Sequence, residues 1–475
     1  MKFSSSSVVL AVVPVLVAAH VDHLNPRSHA LGARQVASPS PLSLAVSGSS
    51  ASVGTALTPL PSATTTLPSV SLLATNPTAV PLSAIVSNQV SSATQPLATT
   101  AVPGTTPSTI PNAPALPNAA LLLPSNYPFL DVPPPIDSPE VQQWIQEVKD
   151  TGMEIPGFSP TNPGGCPNNT AAVADTSRCW WTCGGCTRST DITECPTAMD
   201  WGLTYDDGPS FYTSNLLSYL DQQKLKSTFF VVGSRVISFP SILQTEYMAG
   251  HQISVHTWSH PPLTTLSNEE IIAELGWSKK VIKDVLGVTP NTMRPPFGDI
   301  DSSNLSCYGA YTIMWTRISP LATFDTGDFN IHGGLTTVQQ VLQNWKDIIG
   351  NATTRNSGFI VLEHDLFEQT VEVATGYILP DALAHNPPFT IQPVISCLNL
   401  PMADAYIETN DNKTHPPALA AAVSASVVTI TGAAATGTGS SATKSAGISV
   451  HMGSVVALLS TLTGLVVGCA LSARF

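Results

Sequence analysis

Charge is what this 475-residue chain has least of: Asp, Glu, Lys and Arg together make up 11% of it. Nineteen Lys and Arg stand against 32 Asp and Glu, a net charge of −13, and no basic cluster forms that could neutralise a run of phosphates. Nucleic acid is therefore excluded as a partner. Residues 37–117 carry no aromatic or charged side chain and consist mostly of Ser, Thr, Pro, Ala, Val and Leu. Such a stretch offers little to offset the entropy of ordering, so residues 20–130 are read as a disordered stalk whose hydroxyls and prolines suit O-glycosylation. The apolar run at residues 8–17 is too short to span ~30 Å of hydrocarbon. With Lys2 before it and Ala18 and Ala19 after it, the run reads as a secretory signal over residues 1–19.

The far end has a second apolar run, 455–473, with no basic tail beyond it. Small residues and a spacer precede it, which is the layout of a glycosylphosphatidylinositol signal: attachment among Ser440, Ser441, Ser445 and Gly447, a linker over 401–447, and removal of 448–475. Four sequons, at Asn168, Asn304, Asn351 and Asn412, agree with export and a place at the cell membrane and wall. Five of the eight cysteines crowd into a preface, 131–197. Cys183 and Cys186 have CxxC spacing, but export and the neighbouring cysteines favour structural disulfides over a redox or zinc motif. Cys195 and Cys397 stand just before the first and just after the last expected strand, so pairing them would clamp the domain's ends. Cys166, Cys179, Cys183 and Cys186 would then form two local bridges and leave Cys307 free.

Residues 198–400 change texture to short β-rich runs alternating with helical ones. Strands are expected at 202–205, 227–232, 252–256, 292–294, 311–316, 359–363 and 390–395. Ser267 and Glu270 form a capping-box pattern at the head of a helix running to Gly287, and a second helix is expected at 337–349. Seven strands with helices between them suggest a distorted (β/α)7-type parallel barrel, in which chemistry collects at the strands' C-terminal ends.

Within that region Asp206 and Asp207 close an apolar strand ahead of a Gly-Pro turn, and two adjacent acids call for a cation or a shared task. His256 and His260 stand four apart directly after another strand, a spacing that aims both at one ion. Two His and one Asp would leave a coordination position for water, the mark of a catalytic rather than a structural ion. Arg294-Pro295-Pro296-Phe297-Gly298, Asp325-Thr326-Gly327-Asp328-Phe329 and Leu362-Glu363-His364-Asp365 follow in order.

The ordered set TYDDGP, HTWSH, RPPFG, DTGDF and LEHD resembles the polysaccharide deacetylases of carbohydrate esterase family 4 (NodB-like). With its flanking tracts, the chain is most similar to the fungal chitin deacetylases within that family. The resemblance implies a distorted barrel holding one divalent ion, zinc or cobalt, bound by Asp207, His256 and His260. It makes Asp206 the general base oriented by Arg294, and His364 the general acid held by Asp328. It gives Phe297 an oxyanion-contacting N–H and places Leu362 and Phe329 around the acetyl methyl. The family more often has Tyr at 297 and Trp at 329, and the second difference bears on the acetyl pocket. The implied activity is hydrolysis of N-acetyl groups on chitin or chitin oligomers, giving chitosan and acetate, by a monomer. An acetylxylan esterase of the same fold and a catalytically weak wall mannoprotein are the alternatives.

Overall fold

The computed structural model describes residues 70–97, 101–152, 155–301, 310–319, 322–413 and 416–417. The expected signal peptide, the attachment region with its removed tail, Asn304 and Cys307 lie outside the described residues.

Among the described residues, ten short strands organise the domain. They are β1 (Asp200–Gly202), β2 (Thr204–Asp206), β3 (Thr228–Val231), β4 (Gln252–Val255), β5 (Thr292–Met293), β6 (Tyr311–Thr312), β7 (Arg317–Ser319), β8 (Ala322–Thr323), β9 (Phe359–Ile360) and β10 (Thr390–Gln392). β2 to β6 form a parallel sheet in sequence order, and β1 lies between β10 and β9 in a second parallel sheet. β3 (Thr-Phe-Phe-Val) is buried at every position, as a parallel strand covered on both faces requires. Register places Tyr205 beside Phe229 and Phe229 beside Ile253.

Residues 200–206 belong to both sheets, with Leu203 between their halves. Beyond β6, the Thr316 N–H donates to the Ile360 carbonyl at 3.0 Å, and a parallel bridge joins Asp206 to His364. These links draw the sheets towards a barrel, but the described strands form two ladders rather than one continuous ring. An antiparallel hairpin, β7–β8, which the sequence pattern did not announce, follows β6.

The helix Asn268–Leu286 has the expected capping box, and Gly287 ends it at φ 82°. It buries Ile271, Leu275, Val281, Ile282 and Leu286. The helix Val338–Ala352 starts where Thr337 accepts from the Gln340 N–H, and buries Val341, Trp345 and Ile348. Disulfides join Cys195 to Cys397, Cys166 to Cys183 and Cys179 to Cys186.

The stalk expectation fails for residues 70–97 and 101–130. They run over the domain as a strap with little regular structure and bury Ile85, Ile110 and Leu116 to about 2% exposure in the same core as the parallel sheets. Their backbone groups find partners on the domain: Leu73 N–H donates to Asp381, Asn76 N–H to the Gly376 carbonyl and Ser92 N–H to Glu368. Apolar burial and these long-range bonds supply what composition alone lacks.

Candidate active site

Asp206 ends β2, His256 follows β4, Arg294 follows β5, and His364 follows the segment that continues β9. Parallel strands deliver these side chains to one end because each strand stops at that end and the chain turns there. Four non-glycine residues of this rim adopt left-handed backbone: Asp207 (φ 76°), Thr257 (φ 64°), His260 (φ 61°) and Phe297 (φ 60°). Side chains with a Cβ disfavour that region, so the surrounding fold must impose it.

Three donor atoms converge. Asp207 Oδ1 lies 3.2 Å from His256 Nε2 and 3.1 Å from His260 Nε2, and the three ligand atoms are all within 4.8 Å of one another. The His256 ring offers its other nitrogen, Nδ1, to the Arg294 carbonyl at 2.7 Å, which leaves Nε2 facing the cluster. Asp207 Oδ1 is buried and has no hydrogen-bond partner, although two imidazole nitrogens are close by. One carboxylate oxygen and two imidazole nitrogens, gathered without bonding one another, fit a divalent ion. Burial alone would raise the Asp207 pKa, but the His260 and His256 imidazoles hold it well below the usual carboxylate range.

Beside this triad stands Asp206, whose Oδ1 accepts from Arg294 Nη1 at 2.7 Å. Arg294 is fully buried, donates also to Thr204 Oγ1 and the Ile313 carbonyl, and lies 4.1 Å over the Phe230 ring. On the other flank His364 Nδ1 is 2.7 Å from Asp328 Oδ1, while the His364 N–H donates to Asp328 Oδ2 at 2.9 Å. Burial pulls the His364 pKa down, but the Asp328 charge and hydrogen bond, with Asp207 and Asp206 behind them, push it up to about 10.

The Phe297 ring meets His260 edge-on at 4.7 Å, and Phe329 lies 5.1 Å from the His364 ring. Leu362, two residues before His364, is buried, and its N–H donates to the Phe324 carbonyl. Of the sequons, Asn168, Asn351 and Asn412 are exposed.

Sequence reasoning missed two acids behind the site. Glu274 accepts from the Trp258 and Ser259 N–H groups at 2.8 Å and from the Ser259 hydroxyl, so it secures the turn between the two imidazoles. Its pKa is raised to about 7 by burial against these bonds. Asp365 accepts from Thr213 Oγ1, and its N–H donates to the Asp206 carbonyl. Its carboxylate packs so closely on Gly208 that a Cβ there would lie 2.4 Å from Oδ2. Burial, opposed by Thr213, pushes the Asp365 pKa up to about 7. Glu274 lies inside a helical pattern, where only tertiary contact reveals its partners. Asp365 closes the LEHD motif, which marked the place but not the role.

The polysaccharide deacetylase family model matches residues 193–312, which hold the Asp pair, the His pair and Arg294. Chitin deacetylase 1 of Cryptococcus neoformans var. grubii serotype A is 49% identical over 340 residues, covering 70% of this chain and 71% of that protein. This chain belongs to the polysaccharide deacetylase family. Members of the family depend on a metal ion, and the Asp-His-His triad is where this one can hold it. Chitin deacetylase of Amylomyces rouxii is 38% identical over 238 residues, covering 44% of this chain and 54% of that one. Among solved structures, the chitin deacetylase of Colletotrichum lindemuthianum is 26% identical and 95% covered, with a TM-score of 0.40.

Proposed function

We propose that this polysaccharide deacetylase hydrolyses the N-acetyl groups of β-1,4-linked N-acetylglucosamine in chitin, releasing acetate and leaving glucosamine units. The observation that carries the reading is the pair of buried proton-handling groups on opposite flanks of one three-ligand site, Asp206 with Arg294 and His364 with Asp328. The chitin deacetylases among the chain's relatives supply the substrate class.

An amide needs help at both ends, since its carbonyl is a poor electrophile and its amine a poor leaving group. A divalent ion held by Asp207, His256 and His260, zinc or cobalt in this reading, would polarise the carbonyl and acidify a water. Asp206 takes that water's proton as it attacks, and the Arg294 hydrogen bond keeps the carboxylate aimed. The Phe297 N–H, set by its left-handed backbone, donates to the developing oxyanion. His364 then delivers a proton to the departing nitrogen, because Asp328 keeps the imidazole protonated until that step. Phe329 and Leu362 border the space left for the acetyl methyl.

In this reading the enzyme works as a monomer at the cell surface, brought there by the signal sequence and held by the lipid anchor read from residues 436–475. Release of the protein from intact cells by a phosphatidylinositol-specific phospholipase tests the anchor. The activity is tested with chitin oligomers, supplied with zinc or cobalt, by matching the acetate released to the free amines formed. Release from acetylated xylan but not from the oligomers would overturn the substrate.

A further inference from the structure

The turn that carries both imidazole ligands is bracketed from several sides, and one of them belongs to the strap. The Thr257 and Trp258 carbonyls accept from the Gly233 and Ser234 N–H groups at 2.9 and 3.1 Å, and Glu274 takes the Trp258 and Ser259 N–H groups from the opposite side. Trp258 lies between the two His ligands and is fully buried. What covers it comes from far upstream: the Tyr127 ring stacks on it at 6.2 Å and 6°, and its indole N–H donates to the Phe129 carbonyl at 3.0 Å.

Both contacts are anchored. The Tyr127 hydroxyl donates to Asp284 at 2.7 Å, and Lys280 lies 5.5 Å over the same ring. Asp131, itself in left-handed backbone at φ 56°, accepts from Ser234 Oγ at 2.9 Å and lies 3.3 Å from Arg235. Ser234 is thus tied to Asp131 on one side and to the Trp258 carbonyl on the other. A second layer follows in the chain: Trp144, on the helix Pro139–Asp150, meets Trp277 edge-on at 5.5 Å and fits because residue 276 is Gly, where a Cβ would lie 2.2 Å from the ring.

We propose that Tyr127 and Phe129, at the end of the strap, and Asp131, at the start of the cysteine-rich preface, brace the 256–260 turn and so set the geometry of the ion-binding imidazoles. The proposal rests on the reading of Asp207, His256 and His260 as the ion's ligands. These three are positioning residues: they act through Trp258 and Ser234 and are not among the ion's proposed ligands. Ligand-orienting groups of this kind typically change ion affinity by about 10–100-fold when removed.

The test uses the full chain and cobalt(II), with affinity read by chelator competition and ligand geometry by the visible absorption of the bound ion. Tyr127→Ala should weaken cobalt binding about 10–100-fold and shift the spectrum. Tyr127→Phe, which keeps the ring stack, should restore most of both. Asp131→Asn, at an exposed position, should weaken binding several-fold. Ile85→Ala serves as the comparison, because it removes buried strap packing where Gln369 meets the Val86 carbonyl, away from the turn. It should lower the melting temperature and leave affinity and spectrum unchanged. Wild-type affinity and spectrum in both Tyr127→Ala and Asp131→Asn would overturn the brace, as would an equal affinity loss in Ile85→Ala. Failure of the unaltered chain to bind cobalt at all would instead overturn the ligand assignment beneath it.

Discussion

Arg294 and Asp206 form a fully buried ion pair, Nη1 to Oδ1 at 2.7 Å, with the guanidinium held between the Phe230 ring, Thr204 and the Ile313 carbonyl. Taking one partner from such a pair leaves a buried charge uncompensated, which costs about 3–5 kcal/mol. Arg294→Met should therefore lower stability by that amount in denaturant unfolding and lose activity with it. Asp206→Asn is the sharper probe of chemistry. It should retain a bound ion and lose about 10²–10⁴-fold on amide and activated ester alike, because both need the attacking water deprotonated. Full ester hydrolysis by this variant would remove Asp206 from the base role.

The three-ligand cluster predicts that replacing both imidazoles abolishes ion binding. Elemental analysis of the His256→Ala, His260→Ala double variant should find no stoichiometric zinc or cobalt. A retained ion that supports activity would place the ligands elsewhere.

His364 belongs to the opposite flank and makes no ion contact in this account. His364→Ala should keep its ion and lose about 10²–10⁴-fold on chitin oligomers. An activated acetyl ester should suffer much less, since its leaving group departs without a proton. Equal losses on both substrates would assign the residue a different task.

The Asp328 contact gives this account a pH dependence. His364 must be protonated to act as an acid, so activity falls as pH rises through its pKa. Burial opposes the charged form, but Asp328 and the neighbouring carboxylates raise that pKa to about 10, which keeps the acid loaded at neutral pH. Asp328→Asn removes the leading raising influence, and the alkaline limb of the kcat profile should move to lower pH. An unmoved limb would show that another group sets it.

Cys195 and Cys397 close a 202-residue separation around the strand-and-helix domain. In the chain-entropy picture a loop of that size contributes about 5 kcal/mol, acting mainly on the unfolded chain. A Cys195→Ser, Cys397→Ser variant should lose stability on that order in denaturant unfolding and still bind its ion, because neither residue touches the site.

How legible this was differs by element. Strands such as Thr228–Val231 and the helix from Asn268 showed in the sequence, because continuous apolar runs and a capping box are local signals. Motif order brought the Asp, His and Arg positions together before any coordinates did. The strap did not show, since Ile85, Ile110 and Leu116 lie in no periodic pattern and their order comes from a surface far away in sequence. The same holds for Glu274, whose carboxylate looks like one more helix charge until the 257–259 backbone is seen to donate to it. Nor did the hydrophobic pattern show that residues 200–206 divide between two ladders, because pairing partners are not encoded in a strand's own residues.

The account stands most directly on ion-dependent amide hydrolysis. Protein stripped of ions should release no acetate from chitin oligomers. Adding back one equivalent of zinc or cobalt should restore equimolar acetate and free amine in the unaltered chain, while Asp206→Asn binds the same equivalent and stays about 10²–10⁴-fold slower. Acetate release by the stripped protein, or full recovery by Asp206→Asn, would contradict it.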